Sequence, residues 1–126
     1  MSKKTIKTDR APAAIGPYSQ AVISNGLLFT SGQLPIDPAT GKIPDGSIED
    51  KVHMVFKNLE AIAKEAGTNL DNAVKTTVFL ADIGNFQAVN KVYAQYFKAP
   101  YPARSAFQVA ALPLGADLEV EAIFQL

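Results

Sequence analysis

Hydrophobic positions change their period several times along the chain, and each change marks an element. Residues 19–25 and 27–33 are apolar-rich runs that meet at Asn25-Gly26, the strongest short hairpin signal in the sequence. Pro35, Asp37-Pro38 and Gly41 then predict a loop, closed by Pro44 to Gly46. From Ser47 the spacing turns helical: Ile48, Val52, Val55, Leu59, Ile62 and Ala66 recur at alternating steps of four and three. Ser47 with Asp50 three residues on resembles a capping box, Glu49 and Asp50 favour the positive end of the helix dipole, and Gly67 suits the C-cap. His53 lies beside the apolar stripe and is expected at the surface. Val74 to Ala81 is short and β-branched, so a strand. Asp82 to Phe97 returns to helical spacing through Phe86, Val89, Tyr93 and Tyr96 or Phe97, and ends before Pro100 and Pro102. Residues 105–110 and 117–125 read as the last two strands, separated by a Pro113-Leu114-Gly115 turn.

Two hairpin strands, a helix, a strand, a helix and two strands predict an α+β sandwich: one mixed sheet with both helices on one face. The last strand places Leu118, Val120, Ala122 and Phe124 on one side, and Glu119, Glu121, Ile123 and Gln125 on the other. Two helices leave the second sheet face uncovered, yet the strands alternate poorly and stay apolar on both sides. Such a face is expected to be buried against another copy of the chain.

Composition narrows the function classes. At 126 residues the chain is expected to be a single domain, 1–126. Its 12 basic and 12 acidic residues cancel, which argues against nucleic-acid or anionic-membrane partners. Lys3, Lys4 and Lys7 cluster at the start, which reads as a solvated tail. With no cysteine there is no disulfide, thiolate nucleophile or Cys-ligated metal, and the single histidine, His53, excludes a His-cluster site. No apolar run reaches the length of a membrane span and the start lacks a secretion-signal core, so a soluble cytoplasmic protein is expected.

Only two of the basic residues are arginines, Arg10 and Arg104. A lone arginine in the otherwise apolar run Pro102 to Ala110 offers a planar two-point fork for a carboxylate that an ammonium does not match. Two readings stand: a structural ion pair to Glu119 or Glu121, or a ligand's carboxylate. Glu119 lies on the face away from the helices, where a carboxylate can orient a water and take its proton; the alternative is an exposed strand residue. Tyr18 follows a Gly16-Pro17 turn that can present its ring over a small ligand. Ser31 supplies a hydroxyl and Gly32 permits close backbone approach at the end of the second strand. Asn90 falls beside the stripe of the second helix, either as a buried hydrogen-bonding group or as a cleft residue.

Ala11 to Gln20, Ser31-Gly32-Gln33, Pro102-Ala103-Arg104-Ser105 and Leu118 to Ile123, in that order and spacing, closely resemble the Rid family of reactive-intermediate (enamine/imine) deaminases. The resemblance runs from about Ala11 to the C-terminus. It implies a chorismate-mutase-like fold, a homotrimer with clefts between subunits, and small-molecule 2-imino and 2-keto acids as ligands. It implies that Arg104 holds the substrate carboxylate, that Glu119 activates water or shuttles protons, and that Tyr18, Ser31, Gly32 and Asn90 surround the ligand. Many Rid-like sequences carry Cys where this chain has Ala106; the Ala106 N–H is still expected to contact the carboxylate, and thiol chemistry there is excluded. The implied reaction is hydrolysis of 2-aminoacrylate- or 2-aminocrotonate-type enamines, through the imine, to a 2-keto acid and ammonia, with no cofactor and no metal. The competing reading is a non-catalytic trimer that binds 2-keto or amino acids. Ribonuclease and chorismate mutase activities are both poorly served by so few candidate cleft cations and a single histidine.

Overall fold

Among residues 2–126, which the computed structural model describes, six strands and two α-helices follow in chain order. They are β1 (Lys4–Ile6), β2 (Ala21–Ser24), β3 (Leu27–Thr30), α1 (Ile48–Glu65), β4 (Ala73–Leu80), α2 (Phe86–Tyr96), β5 (Ala103–Gln108) and β6 (Leu118–Gln125). The strands form one mixed sheet in the order β1-β2-β3-β6-β4-β5, in which β4 and β5 are parallel and every other neighbouring pair is antiparallel. The α+β architecture with both helices on one face is as the hydrophobic pattern predicts.

Local chemistry accounts for the elements. Asn25 and Gly26 both take positive φ, 51° and 76°, the backbone that a two-residue hairpin turn with the right-handed strand twist requires. Ser47 Oγ accepts the Asp50 N–H at 3.1 Å and starts α1. Gly67, at φ 85°, ends it in the left-handed region that other residues rarely enter. In α1 the predicted positions Val52, Val55, Leu59 and Ile62 are fully buried, joined by Phe56 and Ala63. They pack on Leu118, Val120, Ala122 and Phe124 of β6 and on Val78 and Leu80 of β4. Side chains of this size each contribute about 1.5–3 kcal/mol on full burial.

Three expectations need correction. The lysine-rich start is not a solvated tail: Lys4–Ile6 pairs with β2 as an edge strand, and Ile6 enters the core. One inward residue among three is too little for a period to be visible. His53 is half-buried rather than at the surface, with Nδ1 2.7 Å from the Tyr96 hydroxyl, because the flank of the α1 stripe faces α2. The second helix opens as a 3₁₀ turn, Ile83–Asn85, and becomes α-helical only at Phe86.

Candidate active site

β5 is an edge strand, and Arg104 is its second residue. In the parallel ladder Arg104 lies beside Thr76 of β4, whose buried side chain points toward the helices. Arg104 therefore projects on the helix side, toward α2. Its Nη1 donates to Asn90 Oδ1 at 2.7 Å, and its guanidinium carbon lies 4.8 Å from the ring centre of Tyr93 and 5.3 Å from that of Phe86. Both distances fall within cation–π range. Under the Tyr93 ring, the phenol and the Thr76 hydroxyl are 2.8 Å apart. Asn90, Tyr93, Ala94, Tyr101, Pro102 and Arg104 line an open groove of about 490 Å³. Ala106, two residues along β5, lies on the same side as Arg104 and is half-buried against the core.

Neither glutamate offered as an ion-pair partner reaches Arg104. The ion pairs among the described residues are Lys51–Asp117 at 2.7 Å and Lys98–Asp71 at 3.8 Å. The guanidinium is thus fixed by neutral groups and keeps its charge for a ligand.

Glu119 lies elsewhere. It pairs across the ladder with Phe79, and its neighbours Leu118 and Val120 are the residues facing the helices, so it projects from the opposite face of the sheet. Its carboxylate lies over Gly32, where a Cβ would come 2.6 Å from Oε2. A side chain at Gly32 would displace the carboxylate from where it lies. The Ser31 hydroxyl donates to Ser19 O at 2.6 Å, and Tyr18 and Ser31 line a second groove of about 340 Å³ with Phe29 and Val22. Tyr18 is 54% exposed. Burial raises the Glu119 carboxyl above its ordinary 4.5, and the Glu121 carboxylate raises it further. The shift favours the protonated form of this carboxyl relative to a free one.

The predicted site residues thus fall into two groups. Arg104, Asn90 and Ala106 form one, beside α2; Tyr18, Ser31, Gly32 and Glu119 form the other, across the sheet. β4 separates β5 from β6, and Arg104 is three ladder positions from the residue opposite Glu119, so their Cα atoms are about 14 Å apart on opposite faces. One chain does not bring the two groups together. Phe86 and Tyr93, read in the sequence only as part of an apolar stripe, also touch Arg104. Their spacing of four and three around Asn90 puts all three on one helical face, and a polar residue inside an aromatic stripe was the available signal. No three His, Cys, Asp or Glu side chains gather as a metal site among the described residues, and no described helix is long and apolar enough to cross a membrane.

The chain matches the family model described as "Endoribonuclease L-PSP" over residues 8–125. It is 50% identical to the chloroplastic Reactive Intermediate Deaminase A of Arabidopsis thaliana over 126 residues, covering 100% of this chain and 67% of that protein. It is 48% identical to the human 2-iminobutanoate/2-iminopropanoate deaminase over 121 residues, covering 96% of this chain and 88% of that one. The crystal structure of a conserved Rid-family protein of unknown function from Yersinia pestis superposes with a TM-score of 0.96 at 48% identity, covering 99% and 100% of the two chains.

Proposed function

The chain belongs to the Rid family, and from that premise we propose that it is a hydrolytic deaminase that converts 2-imino and 2-enamino acids to 2-keto acids and ammonia. The observation that carries this reading is a guanidinium held by an amide and two aromatic rings, with no ion-pair partner among the described residues, at the mouth of an open groove. A planar carboxylate is the ligand such a fork fits best. Two relatives whose names specify imine or reactive-intermediate deamination support the same chemistry.

The second half of the site comes from another copy of the chain. Arg104 and Glu119 occupy opposite faces, so a ligand held by one reaches the other only across a subunit contact. A contact that sets one face of a copy against the other face of the next is head-to-tail, and such contacts close into a ring when the rotation between copies is a whole fraction of a turn. The Rid resemblance gives the number as three. Phe29 and Phe107, 37% and 44% exposed on the face away from the helices, support burial of that face.

In this arrangement Arg104 and the Ala106 N–H hold the substrate carboxylate, while Tyr18, Ser31 and Gly32 of the neighbouring copy form the facing wall. An enamine first tautomerises to its imine. Glu119 takes a proton from water as the oxygen bonds to the imine carbon, and the C=N electron pair moves to nitrogen. Returning that proton to nitrogen gives the carbinolamine; a second transfer through Glu119, from the new hydroxyl to the amino nitrogen, lets the C–N bond break, releasing ammonia as the carbonyl forms. Such imines decay in water unaided, and each tenfold acceleration needs only about 1.4 kcal/mol.

The test is ammonia release from a freshly generated 2-imino acid, using two inactive variants, Arg104→Ala and Glu119→Gln, refolded separately and together. Random co-assembly restores both groups at about a quarter of the sites, so about a quarter of wild-type activity is expected to return. Active wild type with no recovery on mixing would place both groups in one chain. An inactive wild type would leave a binding module.

A further inference from the structure

Thr76 is an anomaly of the core. It is fully buried in the middle of β4, between Val78 and the start of the strand, at a position whose packing a valine would fill equally well. Its hydroxyl has one partner, the Tyr93 phenol at 2.8 Å, and Tyr93 is itself buried, with the Arg104 guanidinium over its ring. Thr76 is also the residue directly beside Arg104 in the parallel ladder. One buried hydrogen bond therefore ties β4, at the residue paired with Arg104 of β5, to the ring on which the guanidinium rests.

We propose that Thr76 and Tyr93 form a positioning pair for the reaction, fixing the Tyr93 ring so that the Arg104 guanidinium is held ready for the substrate carboxylate. The inference rests on Arg104 as the carboxylate anchor. Tyr93 makes edge-to-face contact with Phe56 at 5.6 Å and a tilted contact with Phe97 at 4.5 Å, so packing alone confines the ring. The hydroxyl pair adds what packing does not: a directional restraint on how far the ring slides along its neighbours. Asn90 restrains the other side of the problem, because its amide oxygen occupies one N–H of Nη1 and leaves the remaining donors for the ligand. A fork with five donors and a long flexible stem loses rotamer freedom whenever it binds a carboxylate. Here much of that ordering is complete before the ligand arrives, which lowers the dissociation constant without altering the proton-transfer step.

The experiment compares Thr76→Val, Tyr93→Phe and the double variant, all of which preserve shape. Read-outs are KM and kcat for imine hydrolysis, 2-ketobutyrate affinity by calorimetry, and Tm. Each variant is expected to weaken 2-ketobutyrate binding and raise KM about fivefold, the scale of one net hydrogen bond, with a smaller change in kcat. The double variant should match the singles in KM yet exceed them in Tm, since no hydroxyl is then left buried without a partner. In an Arg104→Lys background the same substitutions should add little further loss. Unchanged KM in all three, with only Tm falling, would make the pair purely structural and overturn the inference. Full additivity with Arg104→Lys would also overturn it, because the pair would then act on something other than Arg104. Should Arg104→Lys itself leave 2-ketobutyrate binding intact, the reading of Arg104 as anchor fails instead.

Discussion

At the scale of single residues, Arg104 and Glu119 differ in their surroundings and so in what their substitution does. Arg104→Lys keeps the charge but loses the fork and the flat surface that lies over Tyr93 and Phe86. It is expected to weaken 2-keto acid binding and to slow turnover as well. Glu119→Gln removes the proposed base and leaves the proposed anchor, so kcat should fall by orders of magnitude more than 2-ketobutyrate affinity changes, measured by calorimetry beside imine hydrolysis rates. The raised carboxyl of Glu119 also has a pH signature. As the proposed base it works only when ionised, so the acid limb of kcat/KM should lie above that of an unperturbed carboxyl. Glu121→Gln removes one of the two causes of the shift and should move that limb to lower pH. For stability the sign is opposite to that of a salt-bridged carboxylate. A folded-state pKa above the unfolded one penalises the charged form, so the penalty is absent below about pH 4.5 and present above the folded value. Glu119→Gln should therefore raise Tm at neutral pH and leave it unchanged in acid.

At the scale of elements, most of the fold was legible because the long elements repeat their pattern several times. The α1 stripe, the β6 alternation and the Asn25-Gly26 turn all appear where the spacing puts them. What the pattern does not carry is pairing. The three residues of β1 show no period, and their strand exists through hydrogen bonds to β2 and through buried Gln20. That side chain accepts from Thr8 N and donates to Thr8 O and Pro12 O, tying the loop after β1 to the start of β2. The candidate site residues were named one by one through motif resemblance, but their division between two faces was not legible. That division depends on β5 running parallel to β4, a long-range pairing, and Phe86 and Tyr93 gain their roles only from it. Gly32 gives the element-scale prediction. Gly32→Ala keeps the short segment after β3 intact but drives its methyl into Glu119. Imine hydrolysis should drop at least tenfold while 2-ketobutyrate still binds, a split readable by kinetics and calorimetry together.

At the scale of the whole molecule, one sheet face is covered by α1 and α2, and the other carries Phe29 and Phe107 exposed and Phe79 and Ile123 half-buried. Phe79 and Phe107 already meet edge to face at 5.4 Å, forming a stiff apolar patch for a neighbour to pack on. Light scattering at micromolar concentration is expected to give three times the 13.5 kDa chain mass. Replacing Phe107 with Glu should shift that mass toward the monomer and remove activity, although Phe107 touches no group assigned to the reaction.

The placement of Arg104 and Glu119 on opposite faces has a kinetic consequence. A catalyst complete within one chain has the same specific activity at every concentration. In the proposed arrangement each isolated chain carries two halves of a site and no whole one, so rate becomes a function of assembly. As the protein is diluted toward the dissociation constant of the ring, activity per milligram should decline, and plots of rate against enzyme concentration should curve upward. Adding a saturating 2-keto acid product should delay that decline even as it inhibits, because a ligand held by two copies is itself a cross-link between them.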